Sequence, residues 1–380
     1  MRIGITTWHE GPNAGTFLQL YGLYNYLTSR GHSVKVIDYK RNSAGDLLPR
    51  GVRYYLNDPI GLVRRKLVRS VWQPRNIMSP AFNEDIQERD LKFQEAYSNL
   101  EFTGLVRSDC ELHRLNNDFD AFVVGSDQVW NASMLNRRYF LDYVEADKIK
   151  AAYAPSMGSG LVLPKQRSQF KTYLSSFDYI SVREKLLADI LSEELVRKVE
   201  HVLDPSMLVP KSEYLQMALL PDRYEAGTYV LCYFTPNSAK QKEQVVSFAK
   251  QRGLKIVVMA MHPEDYAHDD VEVYAAAGPR EFLGLIANAA AVFTSSFHCT
   301  IFSILFNKDL YVFQQYAYTK ASDINQRIKE QLDTYGISSR SICWGGDMDV
   351  AIKSDIDYAQ VNKIFEDRLM QSKRFINQFA

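Results

Sequence analysis

Short runs rich in β-branched and aromatic residues alternate with longer stretches of helical character along the chain. The strand candidates of the first half are residues 3–8, 34–39, 121–125, 150–154 and 179–182. After residues 203–206 the pattern restarts, and the strand candidates of the second half are residues 229–235, 255–261, 271–275, 291–294 and 310–313. Strands that alternate with helices form parallel sheets covered by helices on both faces. The sequence therefore predicts an α/β fold with two doubly wound domains.

The length of 380 residues favours two domains, because a single domain usually holds about 100–200 residues. We place the N-terminal domain at residues 1–210 and the C-terminal domain at residues 211–350. Apolar residues recur at mostly helical spacing over residues 358–379, which predicts a terminal helix. We expect residues 351–380 to pack back on the N-terminal domain. Gly31 follows the first helical segment and is expected to end it as a C′ glycine.

Charge and hydropathy exclude several classes of function. Lys and Arg together number 45, and so do Asp and Glu, so no net field draws the chain to nucleic acid and no such partner is expected. No run of 18 apolar residues predicts a transmembrane helix, and the first residues lack the features of a signal peptide. The four cysteines are scattered, which is typical of reduced thiols. We therefore expect a cytoplasmic protein without a bound metal.

One internal stretch, residues 60–78, is strongly basic. It contains five Lys and Arg residues and no acidic residue, interleaved with apolar side chains and Trp72. A basic amphipathic segment of this kind can lie on an anionic membrane surface, where each basic residue contributes on the order of 1 kcal/mol. The same pattern also fits a surface helix whose arginines are solvated. A peripheral membrane contact therefore stands beside the plain surface helix as an open alternative.

The loop after the first strand is one candidate binding segment, because open doubly wound sheets bind ligands beyond the C-terminal ends of their strands. Residues 8–16 form this loop and include Asn13 and Gly15, and Gln19 follows on the next helix. Glycines allow tight turns, and the N-terminus of a helix offers N–H groups to an anion or a sugar hydroxyl. A plain strand-to-helix turn explains the same residues equally well.

A polar heptapeptide follows the third strand candidate: Gly125-Ser126-Asp127-Gln128-Val129-Trp130-Asn131. Its four polar side chains need hydrogen-bond partners, and a Trp in a polar loop contributes little packing. Polar groups beside an aromatic platform suit a sugar. The alternative is a hydrogen-bonded turn with Trp130 in the core.

Arg183 stands at the end of the strand candidate 179–182, which makes it a candidate for binding an anion. A guanidinium can hold a carboxylate or a phosphate through two parallel hydrogen bonds, a geometry that Lys does not reproduce. An ion pair with Glu184 is the simpler alternative.

His298 is the second candidate for binding an anion. It follows the strand candidate 291–294, and Ser295 and Ser296 precede it at the predicted start of a helix. A histidine in that place can donate a proton or hold an anion beside the helix N-terminus. An isolated histidine is more often structural, but here several anion-binding groups come together.

Taken together, these segments resemble the polysaccharide pyruvyl transferase family, and the heptapeptide 125–131 carries the strongest likeness. The supporting segments are Asn13-Ala14-Gly15-Thr16 with Leu18-Gln19, Ile180-Ser181-Val182-Arg183-Glu184, Leu203-Asp204-Pro205-Ser206 and Ser296-Phe297-His298-Cys299-Thr300-Ile301-Phe302-Ser303. The chain departs from the family pattern at Cys299, where the family commonly has Gly, and at Ala14, where it often has an aromatic residue.

The resemblance implies a fold like that of GT-B glycosyltransferases, with two Rossmann-like domains facing across a cleft. It implies transfer of pyruvate from phosphoenolpyruvate to two hydroxyls of one sugar as a cyclic ketal, with release of phosphate and without a metal or other cofactor. By family analogy Arg183 and His298 hold phosphoenolpyruvate, and His298 is the leading proton donor. Ser295 and Ser296 are expected at the phosphate. Asp127 is the candidate base or sugar-orienting group.

The first loop and the heptapeptide are expected to bind the acceptor sugar, through Asn13, Gly15, Gln19, Ser126, Asp127, Gln128, Trp130 and Asn131. The acceptor is expected to belong to a surface polysaccharide or its lipid-linked precursor, which would give residues 60–78 a purpose at the inner face of the cell membrane. A nucleotide-sugar glycosyltransferase on the same fold is one competing interpretation. An inactive carbohydrate-binding homologue is another, although the presence of both Arg183 and His298 speaks against it.

Overall fold

A computed structural model describes residues 1–39, 80–131, 135–158, 164–233, 239–260, 271–315 and 325–380. These residues contain two six-stranded sheets in which all neighbouring strands are parallel. The predicted α/β fold class with two doubly wound halves is therefore confirmed. The basic stretch 60–78 lies outside the described residues.

The strands of the first sheet are β1 (Arg2–Thr6), β2 (Ser33–Val36), β3 (Ala121–Val124), β4 (Ile149–Ala152), β5 (Tyr179–Val182) and β6 (Glu200–His201). They lie in the order β2-β1-β3-β4-β5-β6. Every residue of β3 is buried, as expected for a parallel strand covered on both faces. Because β1 lies between β2 and β3, the strand order reverses there, and the loops after β1 and β3 flank the reversal.

The strands of the second sheet are β7 (Tyr229–Tyr233), β8 (Lys255–Met259), β9 (Glu272–Tyr274), β10 (Ala291–Thr294), β11 (Asp309–Phe313) and β12 (Ser341–Ile342). They lie in the order β12-β11-β10-β7-β8-β9. The order reverses between β7 and β10. Ligands of open α/β sheets bind at such reversals, so the loop after β10 is in a position to bind one.

Helices of the first half are α1 (Ala14–Ser29), α2 (Pro80–Ser98), α3 (Asp109–Arg114), α4 (Pro164–Leu174) and α5 (Lys185–Leu195). Those that follow are α6 (Lys211–Met217), α7 (Ala239–Arg252), α8 (Pro279–Asn288), α9 (Phe297–Leu305), α10 (Gln326–Thr334), α11 (Asp349–Lys353) and α12 (Tyr358–Ile376). Gly31 has a φ of 84° just beyond α1, which confirms it as the predicted C′ glycine. Among the described helices, none combines the length and the apolar character needed to span a bilayer.

All ten strand candidates correspond to observed strands. The strands β6 and β12 were not predicted, because each has only two residues and two residues give no periodic signal. The domain limits at residues 210 and 350 stay a prediction.

The terminal helix α12 lies against elements of the first half. The Ser372 hydroxyl accepts a hydrogen bond of 2.9 Å from the backbone N–H of Leu203. Near the end of the helix, Phe379 packs on Tyr179, with ring centroids 5.5 Å apart. Ser372 is fully buried. Its hydrogen bond with Leu203 therefore holds α12 against the segment that follows β6.

Two polar contacts also join the halves near the front of the sheets. On α2, Lys92 Nζ lies 2.8 Å from Glu281 Oε1 of α8 and donates a hydrogen bond of 2.9 Å to the carbonyl of Ala276. On α10, Glu330 Oε2 accepts a hydrogen bond of 3.0 Å from the backbone N–H of Lys185 at the start of α5. The first set of contacts joins α2 to α8, and the second joins α5 to α10.

Replacing Ser372 by Ala should lower the free energy of unfolding by about 1–3 kcal/mol, because the buried N–H of Leu203 would lose its acceptor. Urea unfolding measures the change. Ser98→Ala is the matched control, since that exposed hydroxyl donates only to the carbonyl of Glu95 in its own helix. Equal unfolding free energies for the two variants would contradict the role given to Ser372.

Candidate active site

The first turns of α1 and α9 touch between the two sheets. The helix α1 follows β1, and α9 follows β10. A Cβ atom at Gly15 would lie 2.1 Å from Nδ1 of His298, so only glycine allows the imidazole to lie against α1. The structure thus brings together Gly15 and His298, which the sequence had placed in two separate candidate segments.

Asp204 lies at the centre of this contact. Its Oδ2 atom accepts a hydrogen bond of 2.7 Å from Nη1 of Arg183 and lies 3.7 Å from Nε2 of His298. Its Oδ1 atom accepts hydrogen bonds from the backbone N–H and the hydroxyl of Ser206, at 3.0 and 2.6 Å. Only 2% of Asp204 is exposed. One buried carboxylate therefore binds cationic side chains from both halves of the protein.

The surroundings of Asp204 keep it ionised. Burial alone would raise the pKa of this carboxyl, but the His298 imidazole and the Arg183 guanidinium hold that pKa well below its usual range. Sequence reasoning named Asp204 only within the segment 203–206 and missed its role. Its position shortly after β6 is the signal that could have revealed it, but β6 is too short to predict.

Two arginines and one histidine lie around the Phe297 ring and carry nitrogen atoms that lack hydrogen-bond partners. Within the described part of the chain, nothing accepts a hydrogen bond from Nε and Nη2 of Arg183, from Nε2 of His298 or from Nε of Arg327. The guanidinium carbons of Arg183 and Arg327 lie 4.2 and 5.7 Å from the ring centroid. Buried donors without acceptors are unfavourable, so this arrangement is suited to an anionic ligand.

Arg327, in the first turn of α10, was not predicted from the sequence. Burial, followed by repulsion from Arg183, lowers the pKa of the Arg327 guanidinium to about 10. Such a shift shows that the guanidinium is removed from water and lies near a second one. Arg327 belongs to none of the recognised motifs. The available signal was its place beyond β11, which pairs with β10 in the sheet.

Asp127 joins the heptapeptide to α1. It has a φ of 61° and is 5% exposed. Its Oδ2 atom accepts a hydrogen bond of 2.9 Å from the Thr16 hydroxyl, and its Oδ1 atom accepts one of 2.8 Å from the backbone N–H of Gln128. Both carboxylate oxygens are thus engaged in holding the loop against the helix.

Gln19 and Ser126 support the loops from the protein interior. Both are fully buried. Gln19 donates a hydrogen bond of 2.9 Å to the carbonyl of Thr16 and accepts one of 3.0 Å from the backbone N–H of Ser126. The Ser126 hydroxyl donates to the carbonyl of Ala154 at 2.8 Å. The two residues were predicted to contact the sugar, and their burial instead places them behind the site as positioning residues.

Asn13 and Ser296 cap the two helices that meet. The Asn13 side chain accepts a hydrogen bond of 3.1 Å from the backbone N–H of Thr16, and the Ser296 hydroxyl accepts one of 3.4 Å from that of Cys299. An N-cap fixes the direction of the first turn. Ser296 therefore helps to orient His298, which lies in that turn.

Two other neighbours of His298 are structural. Ser295 is 1% exposed, and its carbonyl accepts a hydrogen bond of 2.8 Å from Gln315. Burial raises the pKa of the Cys299 thiol to about 12, so this departure from the family pattern supplies no nucleophile at neutral pH.

Across the residues that the structure describes, no group of three or more His, Cys, Asp and Glu side chains is placed to hold a metal ion.

Trp130 does not form the expected platform for a sugar. It is fully buried and stacks on Phe140, with centroids 5.5 Å apart and planes 7° apart. Its indole N–H donates a hydrogen bond of 2.8 Å to the carbonyl of Tyr139. A large aromatic ring contributes most when packed in a core with its N–H satisfied. The expected sugar contact at Trp130 is therefore wrong, and the alternative of a core tryptophan is correct.

Gln128 and Asn131 are half-buried and form a pair, in which the Asn131 amide donates a hydrogen bond of 3.0 Å to Gln128 Oε1. Both pack on Gly158, which has a φ of 72° and whose Cβ, if present, would lie 2.3 Å from Gln128 Oε1. Of the side chains predicted to bind sugar in the heptapeptide, these two are the more accessible.

A shallow depression without enclosed volume lies beside the loop after β1, and its lining residues are Thr7, Trp8, His9, Glu10, Tyr39 and Tyr139. The Thr7 hydroxyl donates a hydrogen bond of 3.1 Å to the carbonyl of Ser126, so the depression adjoins the heptapeptide. Trp8 is half-buried, whereas Tyr39 and Tyr139 are buried. The loop selected from the sequence contains Trp8, His9 and Glu10, but none of the six lining residues was predicted to bind a ligand.

The residues around Asp204 fall within a region that matches one protein family. The family described as polysaccharide pyruvyl transferase matches residues 13–313. This chain belongs to the polysaccharide pyruvyl transferase family. The matched region includes Asp127, Arg183, Asp204 and His298, while Arg327 lies beyond it. No curated protein matches the sequence.

Solved structures with similar folds have very different sequences. The UDP-GlcNAc 2-epimerase from Neisseria meningitidis, bound to UDP-GlcNAc, has a TM-score of 0.52 and 11% identity, over 97% of this chain and 94% of that chain. UGT89C1 from Arabidopsis thaliana, complexed with quercetin, has a TM-score of 0.51 and 10% identity, over 99% of this chain and 98% of that chain. These similarities show the fold alone, and they confirm the GT-B-like arrangement that the resemblance implied.

Replacing Asp204 by Asn should lower the free energy of unfolding by about 3–5 kcal/mol at neutral pH, because the buried Arg183 guanidinium would lose its ion-pair partner. Urea unfolding at several pH values measures this difference. The pKa of Asp204 is lower in the folded protein, so its contribution is complete above about pH 4 and declines as the pH falls further. The wild type and the variant should therefore converge on acidification. A difference in unfolding free energy between the wild type and the variant that does not change with pH would contradict the role given to Asp204.

Proposed function

We propose that this protein transfers pyruvate from phosphoenolpyruvate to two hydroxyls of one sugar, forming a cyclic ketal and releasing phosphate. The observation that carries the proposal is the set of unpartnered nitrogens on Arg183, His298 and Arg327 around one aromatic ring. Phosphoenolpyruvate bears a carboxylate and a phosphate on three carbons. Two anionic groups so close together require several cationic donors in a small space, and membership of the family favours the same substrate.

The geometry of Arg183 supports a two-point contact with one of these anionic groups. Nη1 of Arg183 donates a hydrogen bond to Asp204. The two nitrogens without hydrogen-bond partners, Nε and Nη2, form one edge of the planar guanidinium. Two parallel N–H donors on one edge match a carboxylate or a phosphate. Arg327, whose guanidinium carbon lies 5.7 Å from the centroid of the same Phe297 ring, then binds the other anionic group.

His298 is the proton donor in the proposed reaction. Protonation of the terminal methylene of phosphoenolpyruvate generates positive charge at C2, which a sugar hydroxyl attacks. The Asp204 carboxylate lies 3.7 Å from Nε2 of His298, so the carboxylate that binds Arg183 also lies beside the proposed proton donor. The contact with Gly15 and the cap by Ser296 hold the ring in one place, as proton transfer requires.

The acceptor sugar is proposed to bind on the side of the first sheet. The surface depression beside the loop after β1 places the half-buried Trp8 next to polar groups, and an aromatic face next to hydrogen-bonding groups suits a sugar ring. Gln128 and Asn131 stand nearby in the heptapeptide. We assign Asp127 an orienting role, since both of its oxygens already hold the loop.

We further propose that the acceptor belongs to a surface polysaccharide or its lipid-linked precursor, and that the enzyme works in the cytoplasm. The basic stretch 60–78 supports contact with an anionic membrane. Loss of liposome binding when Arg64, Arg65 and Arg69 are replaced would support this contact. Failure of the unaltered protein to bind anionic liposomes would reject it.

Incubation with phosphoenolpyruvate and a panel of oligosaccharides with free hydroxyl pairs should release inorganic phosphate and add a ketal to one acceptor. Mass spectrometry of the acceptor and a phosphate assay follow the reaction. A parallel panel of nucleotide sugars should release no nucleoside diphosphate. Nucleoside diphosphate release without phosphoenolpyruvate turnover would identify a glycosyltransferase instead.

Arg183→Lys should weaken phosphoenolpyruvate binding by at least about tenfold, because the charge is kept but the two-point contact is lost. Calorimetric titration measures the affinity. Arg280→Lys is the matched control, since Arg280 is exposed on α8. Unchanged affinity in Arg183→Lys would show that Arg183 serves only its ion pair with Asp204.

Gly15→Ala should lower kcat/KM for ketal formation on the order of 100-fold, because the new Cβ would displace the His298 ring and small misplacements of a catalytic group have effects of this size. Gly104→Ala provides the control, since nothing lies within 4 Å of a Cβ built there. Similar kinetics for both variants would contradict the proposed position of His298.

A further inference from the structure

Glu184 is a buried carboxylate that the assignments above leave without a role. It is 3% exposed. Its Oε1 atom accepts a hydrogen bond from the Ser156 hydroxyl, and the Ser156 oxygen itself accepts one of 3.1 Å from the backbone N–H of Gly158. Its Oε2 atom is buried and has no hydrogen-bond partner anywhere in the described ranges. An acceptor atom in this condition is unfavourable unless a ligand supplies a proton donor.

The position of Glu184 in the chain does not account for this free oxygen. Glu184 is the N-cap residue of α5 but makes no capping hydrogen bond. Glu330 on α10 accepts the backbone N–H of Lys185 in its place, at 3.0 Å. Because a side chain from the other half supplies the acceptor for the helix, the Glu184 carboxylate is left available for another purpose.

Glu184 also differs from the other two carboxylates near the site. Both oxygens of Asp127 and both oxygens of Asp204 accept hydrogen bonds from the protein. Glu184 Oε1 lies 3.8 Å from Arg183 Nε, one of the nitrogens assigned to phosphoenolpyruvate. The carboxylate that carries the unpartnered oxygen thus lies beside one of the unpartnered donors.

The two reactants differ in what they can offer to such an atom. Ionised phosphoenolpyruvate carries acceptor oxygens and satisfies the nitrogens of Arg183 and Arg327. A sugar hydroxyl carries a proton that it can donate. From this complementarity we propose that Glu184 Oε2 binds the attacking sugar hydroxyl and is its general base, an inference that rests on the proposed ketal-forming function.

The proton transfers balance with Glu184 in this role. His298 gives a proton to the methylene carbon, the first hydroxyl forms a bond to C2, and its proton passes to Glu184. The bond from C2 to the phosphate oxygen then breaks, the bonding pair leaves with phosphate, and Glu184 returns its proton to that phosphate. The second hydroxyl then forms a bond to C2 and closes the ketal. Its proton passes to His298, which returns to its protonated form. One hydroxyl proton is thus accounted for in the new methyl group and the other in phosphate.

Glu184→Gln tests this role because it keeps the shape and the contact with Ser156 but cannot accept a proton. We expect phosphate release to slow on the order of 100-fold or more, while calorimetric affinity for phosphoenolpyruvate stays unchanged. Glu193→Gln on the same helix is the matched control. Glu184→Ala should recover part of its activity when formate is added, since a small carboxylate can occupy the vacated space, and a purely structural role would not respond to formate.

Three outcomes would overturn the inference. A wild-type rate in Glu184→Gln would remove the need for this base. A parallel loss of phosphoenolpyruvate affinity and rate, with no rescue of Glu184→Ala by formate, would show that Glu184 only supports Arg183. Absence of phosphate release by the wild type with every acceptor would reject the proposed function itself, and the inference with it.

Discussion

The arrangement of this site depends on one buried carboxylate, Asp204, shared between cationic side chains of the two halves. Arg183 follows β5 of the first sheet, and His298 lies in the first turn of α9 in the second half. A buried charge is tolerated only when it is paired and hydrogen-bonded. Asp204 meets that condition by drawing Arg183 and His298 to one point, so the contact that joins the halves also assembles the cationic groups.

The same contact leaves several buried nitrogen donors of the site without hydrogen-bond acceptors among the described residues. Asp204 engages a single nitrogen of Arg183 at hydrogen-bond distance, and Arg327 approaches the same aromatic ring from α10. The lowered pKa of Arg327 reflects burial beside another guanidinium. An anionic ligand would supply the missing acceptors, and this is the physical basis for assigning phosphoenolpyruvate to the space around Phe297.

The sequence was sufficient for the features that depend on local pattern. Buried parallel strands are continuous apolar runs, so ten strands and the restart of the pattern in a second domain could be predicted. Arg183 and His298 could be selected because each follows such a strand. Trp130 was misassigned because its burial also depends on packing against Phe170 and Phe177, which are distant in the chain. A polar loop sequence alone does not distinguish an exposed ring from a buried one.

Arg327, Asp204 and Glu184 show a different limit. Each acquires its role only where two elements meet: Arg327 at the ring of Phe297, Asp204 between Arg183 and His298, and Glu184 where Glu330 takes over the cap of α5. No periodicity encodes such contacts.

A crystal structure with bound phosphoenolpyruvate would test the central claim most directly. The account predicts that one anionic group of the ligand accepts hydrogen bonds from Nε and Nη2 of Arg183, while Arg327 and His298 contact the rest of it. A ligand bound elsewhere, with those nitrogens still unpartnered, would contradict the account.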